Sequence, residues 1–329
     1  MQTTSQEDPI RDTDALLDEE LFDTETEDFA GPVPPRRSRP EAVMGLIALL
    51  AAALLIVMVV LCLPYMGGGA EDPEELVHSQ HVQEEQYLET EPVSEETEAT
   101  SEPTIPPEEN PYGRFDFQYN RDNYLSCLRQ ESSAGVDVSA YQGDVDWQAV
   151  KDSGIDFAII RLGYRGYGKA GKLVEDEYAK KNLQGAADAG LQVGAYFFSQ
   201  ALDTKEVDEE IAFMLNILGD CRLDMPIVLD WEIPTAEART AAMDARTLTD
   251  IQLHFCRTME EKGYRPMVYF NWYQSEHLYY LSELEDYPFW LAFYQDRMTY
   301  PWKVEMWQYT CTGRVPGIGG DVDINVFMR

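Results

Sequence analysis

From Ala134 onward the chain alternates between short apolar runs and longer stretches whose apolar residues recur at helical spacing. Gly135–Ser139, Phe157–Gly163, Gln192–Ser199, Pro226–Glu232, Pro266–Asn271, Phe289–Tyr294, Glu305–Tyr309 and Val322–Phe327 are short and rich in β-branched and aromatic residues, so they read as strands. Helical patterns separate the early ones. Trp147–Ser153 carries Trp147 and Val150 on one face, and Asp176–Ala189 stops at Gly190. Thr204–Leu218 has Thr204 in the N-cap position, Val207, Ile211, Met214, Leu215 and Leu218 along one stripe, and Gly219 as its stop. Leu248–Lys262 follows Thr247, carries Ile251, Phe255 and Met259, and ends at Gly263. After Asn271 the connections shorten, and only Trp272–Leu281 reads as helical.

Strand and helix in alternation predict parallel β/α units. Eight such strands, with the helices crowded into the first half, predict an irregular TIM-like α/β barrel with fewer helices than strands. A doubly wound open sheet is the alternative.

Upstream of Ala134 the pattern changes several times. Residues 1–41 are acidic and poor in aromatics, the composition of a disordered tail. Leu16, Leu17, Leu21 and Phe22 within it suit either a docking segment for a cytoplasmic partner or a plain solvated tail. Ala42–Leu63 is apolar and uncharged, and as a helix it would be roughly 33 Å long, enough to cross a bilayer. The span, taken as 42–64, follows Arg36, Arg37 and Arg39, and no further Lys or Arg comes before Arg114. That asymmetry predicts a single-pass membrane protein with a cytoplasmic N-terminus and an extracellular remainder. Residues 65–110 open with Gly67-Gly-Gly69 and continue rich in Glu, Thr and Pro, as an extended stalk would. Residues 111–133 hold Tyr112, Phe115, Phe117, Tyr119 and Tyr124 and suit a short lead-in helix before a domain over 134–329.

The formal net charge of −35 argues against nucleic acid and against anionic membrane surfaces as partners. Cys127, Cys221, Cys256 and Cys311 follow the apolar span and allow three pairings that spacing cannot separate. There is no C-x-x-C, and His78, His81, His254 and His277 do not cluster with cysteine, so no zinc site is expected. No metal or organic cofactor is implied.

In parallel β/α architectures the chemistry gathers at the C-terminal ends of the strands. Those ends carry Asp137 and Ser139, Tyr196 and Phe198, Asp230 and Glu232, Tyr269 and Asn271, Trp290 and Tyr294, Trp307 and Gln308, and Asp323 and Asn325. Carboxylates and aromatic plates at one pole suit a carbohydrate. Within Met225-Pro-Ile-Val-Leu-Asp-Trp-Glu232, Asp230 and Glu232 lie two apart on a buried strand. They share a face, with Cα atoms roughly 6–7 Å apart. Two carboxyls that close in an apolar setting shift one another's pKa, and a glycosidase needs one carboxyl kept protonated as acid beside a second, charged one. The pair alone is also compatible with a strand end turning polar at solvent.

Six segments in order resemble the glycoside hydrolase family 25 muramidases, the Chalaropsis-type lysozymes. They are Gly135–Trp147 (GVDVSAYQGDVDW), Ala189–Ser199 (AGLQVGAYFFS), Ile227–Glu232 (IVLDWE), Met267–Asn271 (MVYFN), Phe289–Tyr294 (FWLAFY) and Trp307–Asn325 (WQYTCTGRVPGIGGDVDIN). The resemblance implies an irregular eight-stranded barrel that cleaves the β-1,4 bond between N-acetylmuramic acid and N-acetylglucosamine in peptidoglycan glycan strands. It implies Glu232 as proton donor and Asp230 as a supporting carboxylate. Desolvation beside Trp231 and other aromatics would raise the Glu232 pKa, while a charged Asp230 assists through the substrate's N-acetyl group. Asp137 and Asp323 match the other acidic positions of the cleft, and Tyr196, Tyr269, Trp290 and Trp307 are the expected substrate-binding aromatics. Phe197 stands where many members have His, which puts one local hydrogen bond in question. Two other readings remain open: a non-catalytic wall-binding module on a membrane stalk, and a hydrolase of another N-acetylated glycan.

Overall fold

The computed structural model describes residues 106–329. The expected tail, membrane span and nearly all of the stalk lie outside those residues. Among the described residues no helix is long and apolar enough to cross a membrane.

The strands are β1 (Phe117–Tyr119), β2 (Leu125–Cys127), β3 (Ser132–Val138), β4 (Phe157–Arg165), β5 (Leu173–Glu175), β6 (Gln192–Ser199), β7 (Ile227–Trp231), β8 (Pro266–Asn271), β9 (Phe289–Ala292), β10 (Met306–Gly313) and β11 (Val322–Met328). The helices are α1 (Trp147–Asp152), α2 (Ala179–Asp188), α3 (Thr204–Leu218), α4 (Ala245–Glu261) and α5 (Trp272–His277). Neighbouring strands run β3-β11-β10-β9-β8-β7-β6-β4, and β3 also pairs with β4, which closes an eight-stranded barrel. The irregular barrel is thus the fold, and the open sheet is not. β5 pairs antiparallel with β4 outside this ring.

β11 is antiparallel to both its neighbours, whereas the other barrel strands run parallel. This corrects the argument by which Asp323 was placed. Asp323 opens its strand instead of closing it, and it reaches the common pole because β11 runs the other way, pairing Asp323 with Asp137.

The lead-in segment also differs from expectation. Residues 117–127 form the β1–β2 hairpin and not a helix, with Phe117 opposite Cys127. Its turn holds Asn123 at φ 65°, a conformation Asn tolerates better than most residues. The hairpin covers the outside of the barrel, where Phe117 meets Trp307 edge-on at 5.1 Å.

Alternation along each strand divides the core in two. Phe157, Ile159, Val228, Met267, Tyr269, Trp290 and Met306 fill the interior of the barrel. The outward set, including Val136, Ile160, Phe197, Leu229, Trp231, Phe270 and Trp307, packs under the helices and the hairpin. Each fully buried aliphatic or aromatic side chain of this kind contributes roughly 1.5–3 kcal/mol. Gly135 is required by this interior, since a Cβ there would lie 2.2 Å from the Phe157 ring. The caps sit one residue or more ahead of the expected threonines. Asp203 accepts from Glu206 N (2.9 Å) at the start of α3, and Asp244 from Thr247 N (3.0 Å) at the start of α4.

Candidate active site

The interior turns from apolar to polar along several of the strands that line it. Ile159 is followed by Arg161, Val228 by Asp230 and Glu232, Met267 by Tyr269, and Met306 by Gln308. On the antiparallel β11 the order reverses, so Phe327 lies low, with Asn325 and then Asp323 above it. All these polar groups therefore meet at one end of the barrel. Asp137, Asp230, Glu232 and Asp323 are brought together there with Tyr196, which feels Arg161 and three of the carboxyls.

Asp137 is the most fully bonded member. Its Oδ2 accepts from Gln308 Nε2 (2.9 Å) and Asn325 Nδ2 (2.7 Å). Asn325 Oδ1 in turn accepts from the Trp290 indole N–H at 2.8 Å, and Gln308 Oε1 accepts from the Tyr294 hydroxyl at 3.0 Å. Burial pushes the Asp137 carboxyl up to about 6, against the pull of its two amide donors. Trp290 is buried beneath the cluster, edge-on to Tyr269 at 4.9 Å. Its place is that of a floor supporting Asn325 and Tyr269.

Asp230 and Glu232 both face inward and share a hydrogen bond. Burial pushes Glu232 up to about 7, opposed by hydrogen bonds from Tyr269 and Asp230. Asp230 is also raised well above the ordinary carboxylate range, first by burial and then by the charges of Glu232 and Asp137, and its buried Oδ1 meets no donor. Burial and like charge thus disfavour full ionisation of the pair. On Asp230, expected to stay charged, desolvation and the neighbouring carboxyls push the pKa up while Arg161 pulls it down. Asp323 is likewise raised by burial and by Asp137 and Glu232.

Three sequence expectations are relocated by strand parity. Trp231 points into the outer core and donates its indole N–H to Ala201 O at 2.9 Å, so it does not desolvate Glu232. Trp307 also faces outward, fully buried against Phe117 and Tyr309, with its N–H on Phe293 O at 2.7 Å. Its neighbour Gln308 is the one facing the cleft. Phe197 lies in the outer core against Phe213, so its departure from His touches no group of the cluster.

Arg161 went unnoticed in the sequence because it lies within the apolar run of β4. It is buried, and its Nε donates to Asp176 Oδ2 at 2.8 Å. Asp176 is locked by the backbone N–H groups of Ala140 and Tyr178, each at 2.9 Å. A β-bulge beyond Arg161 shifts the register of β4 against β6. It leaves Tyr164 beside the guanidinium, 5.6 Å from its ring centroid. The Arg161 charge pulls down the pKa values of Asp230 and Tyr196. Arg161→Met should therefore cost about 3–5 kcal/mol by stranding the buried Asp176 carboxylate. Urea unfolding should show Arg161→Met/Asp176→Asn recovering most of that loss; no recovery would mean the pair is not the cause.

Residues 136–318 match the model of Glycosyl hydrolases family 25. YegX, an uncharacterized protein of Escherichia coli K12, is 30% identical over 207 residues, which cover 59% of this chain and 68% of YegX. Lysozyme M1 of Streptomyces globisporus is 28% identical over 204 residues, 59% of this chain and 67% of that protein. The modular autolysin LytC of Streptococcus pneumoniae, solved with a synthetic peptidoglycan ligand, aligns at 24% identity with a TM-score of 0.53. That likeness is one of fold, covering 64% of this chain and about half of LytC, 49%. The family match spans more than half of the chain and contains most of the carboxylate-lined barrel, and the chain belongs to the glycosyl hydrolases family 25, a family of glycosidases.

Proposed function

We propose that the chain is a muramidase that cleaves the β-1,4 bond between N-acetylmuramic acid and N-acetylglucosamine, with Glu232 as general acid and Asp230 assisting. The observation that carries this reading is the pair of inward carboxyls Asp230 and Glu232 among Asp137 and Asp323 at one end of the barrel, with an Asp230 Oδ1 that is buried without a donor. That oxygen suits the acetamido N–H of the sugar whose bond is cut. A donor there favours the ionised form of Asp230, whose charge in turn favours the protonated form of Glu232. Glu232 then protonates the glycosidic oxygen as the C1–O bond breaks, while the acetamido oxygen bonds to C1 from the other face. The resulting oxazolinium ion is offset by the Asp230 carboxylate. Water attacks C1, the ring reopens, and Glu232 takes the water's proton, which restores the starting state. Asp137, Asp323, Tyr196 and Tyr269 line the pocket around this sugar, and Trp290 supports it from below.

Two displacements at C1 give net retention. Proton NMR of the first reducing ends released should show the β anomer before mutarotation; an initial α anomer would rule out the substrate-assisted route. The apolar run 42–64 and the arginines before it support a domain held outside the membrane by its stalk. From there it would cut wall strands close to its own cell during growth, division or insertion of surface machinery.

A further inference from the structure

The strand that carries Asp230 and leads into Glu232 loses its neighbours one side at a time. Pairing of β7 with β8 ends at Leu229–Val268, and with β6 at Trp231–Ser199. Asp230 is therefore paired on the β6 side only, through Phe198, and Glu232 lies past both ladders. Three buried glutamine side chains, one from α4, one from α5 and one just past β6, bond the carbonyls along this stretch. Gln252 of α4 donates from Nε2 to Leu229 O at 3.0 Å. Gln274 of α5 donates from Nε2 to Trp231 O at 2.8 Å. Gln200, just past β6, donates from Nε2 to Glu232 O at 2.6 Å.

Each glutamine is itself held. Gln200 Oε1 accepts from the Thr240 hydroxyl at 2.9 Å, and Thr240 is fully buried. Gln274 Oε1 accepts from Asn271 N at 2.9 Å, as part of the box that caps α5. Gln252 also donates to the Tyr279 hydroxyl at 3.2 Å. The three amides are 0–2% exposed. An amide that deep in an apolar outer core is costly unless its bonds matter. Leucine or methionine would fill the same space.

We infer that Gln200 and Gln274 are positioning residues for the Asp230–Glu232 pair, holding the carbonyls of residues 231 and 232 and thereby setting where the two inward carboxyls stand. Gln252 grips the same strand lower down, at Leu229, where pairing with β8 still helps. The inference rests on the assignment of Asp230 and Glu232 as the reacting pair. It makes the outer-face amides part of the catalytic geometry, although none of them faces the cleft.

The three grips differ in distance from the chemistry, and that supplies the test. Gln200→Met, Gln274→Met and Gln252→Met are made in the full-length chain and assayed on purified peptidoglycan, alongside thermal unfolding of each. All three should lose a similar amount of thermal stability, since each loses a buried amide bond. Gln200→Met and Gln274→Met should also lower kcat by about tenfold or more with KM within about twofold, because small misplacements of reacting groups are costly. Gln252→Met should lower kcat by less than about threefold. Gln200→Asn and Gln274→Asn keep the amide, which falls one methylene short. They should reproduce the kcat loss and serve as the second variants where Met does not fold. A kcat that merely tracks stability across all three positions, or that is unchanged in Gln200→Met and Gln274→Met, would overturn the inference. An inactive wild type would instead sink the muramidase reading on which it rests.

Discussion

Glu232→Gln should lower the rate of wall hydrolysis by about a thousandfold, near the middle of the range for loss of a general acid. That corresponds to about 4 kcal/mol of transition-state stabilisation. The fold should survive, because Gln keeps the shape and Tyr269 can still donate to its side-chain oxygen. Stability should in fact move the other way. Burial holds the Glu232 carboxyl near 7 in the folded chain, above the ordinary value of about 4.3 expected when unfolded. A group raised in this way gives its full stabilisation below pH 4 and loses it as pH climbs through about 7. Glu232→Gln has no such loss. Its melting temperature should match wild type near pH 4 and exceed it at pH 8, so the site trades stability for chemistry. Calorimetry at the two pH values checks this. Near wild-type activity in a folded Glu232→Gln would remove Glu232 from the role of acid.

Asp230→Asn should cost about a hundredfold or more in kcat, the scale of losing one charge aimed at the developing cation. Asn keeps the volume and can still bond Glu232, but it cannot carry the negative charge that offsets an oxazolinium ion. The expected signature is selective. A thiazoline mimic of that ion should inhibit wild type competitively and bind Asp230→Asn about ten- to a hundredfold more weakly. Ground-state wall binding should change little. Equal inhibition of both proteins would mean that Asp230 serves only to tune Glu232.

The barrel strands were legible because their apolar runs are short, β-branched and bounded by turn residues, and the long helices because α3 and α4 carry regular stripes ended by glycine. The β1–β2 hairpin was not. Its aromatics suit either a helix or a strand, and the turn that decides the matter depends on Asn123 at positive φ. Asp323 was chosen by a rule about strand ends that β11 does not obey. Its reversal follows from the direct hairpin Arg314–Asp321 between β10 and β11, since a parallel return would need a longer crossover. Trp231 and Trp307 show the limit of composition. Period-two alternation alone puts Asp230 and Glu232 inside and Trp231 outside, and the same rule sends Gln308 in and Trp307 out. Arg161 and the three glutamines were invisible for another reason. Their roles come from partners elsewhere along the chain: Asp176 for Arg161, and the carbonyls of residues 229, 231 and 232 for glutamines on α4, on α5 and just past β6. Nothing local marks them.

The most direct test of the central claim is the chemistry of the new chain ends. The full-length protein is incubated with purified peptidoglycan, the released fragments are reduced with borohydride, and the products are identified by mass spectrometry. Fragments ending in reduced muramic acid, absent when Glu232→Gln is used, are the predicted result. Fragments ending in reduced glucosamine would mean that the other bond is cut. A folded protein that binds the wall and releases nothing would contradict the account altogether.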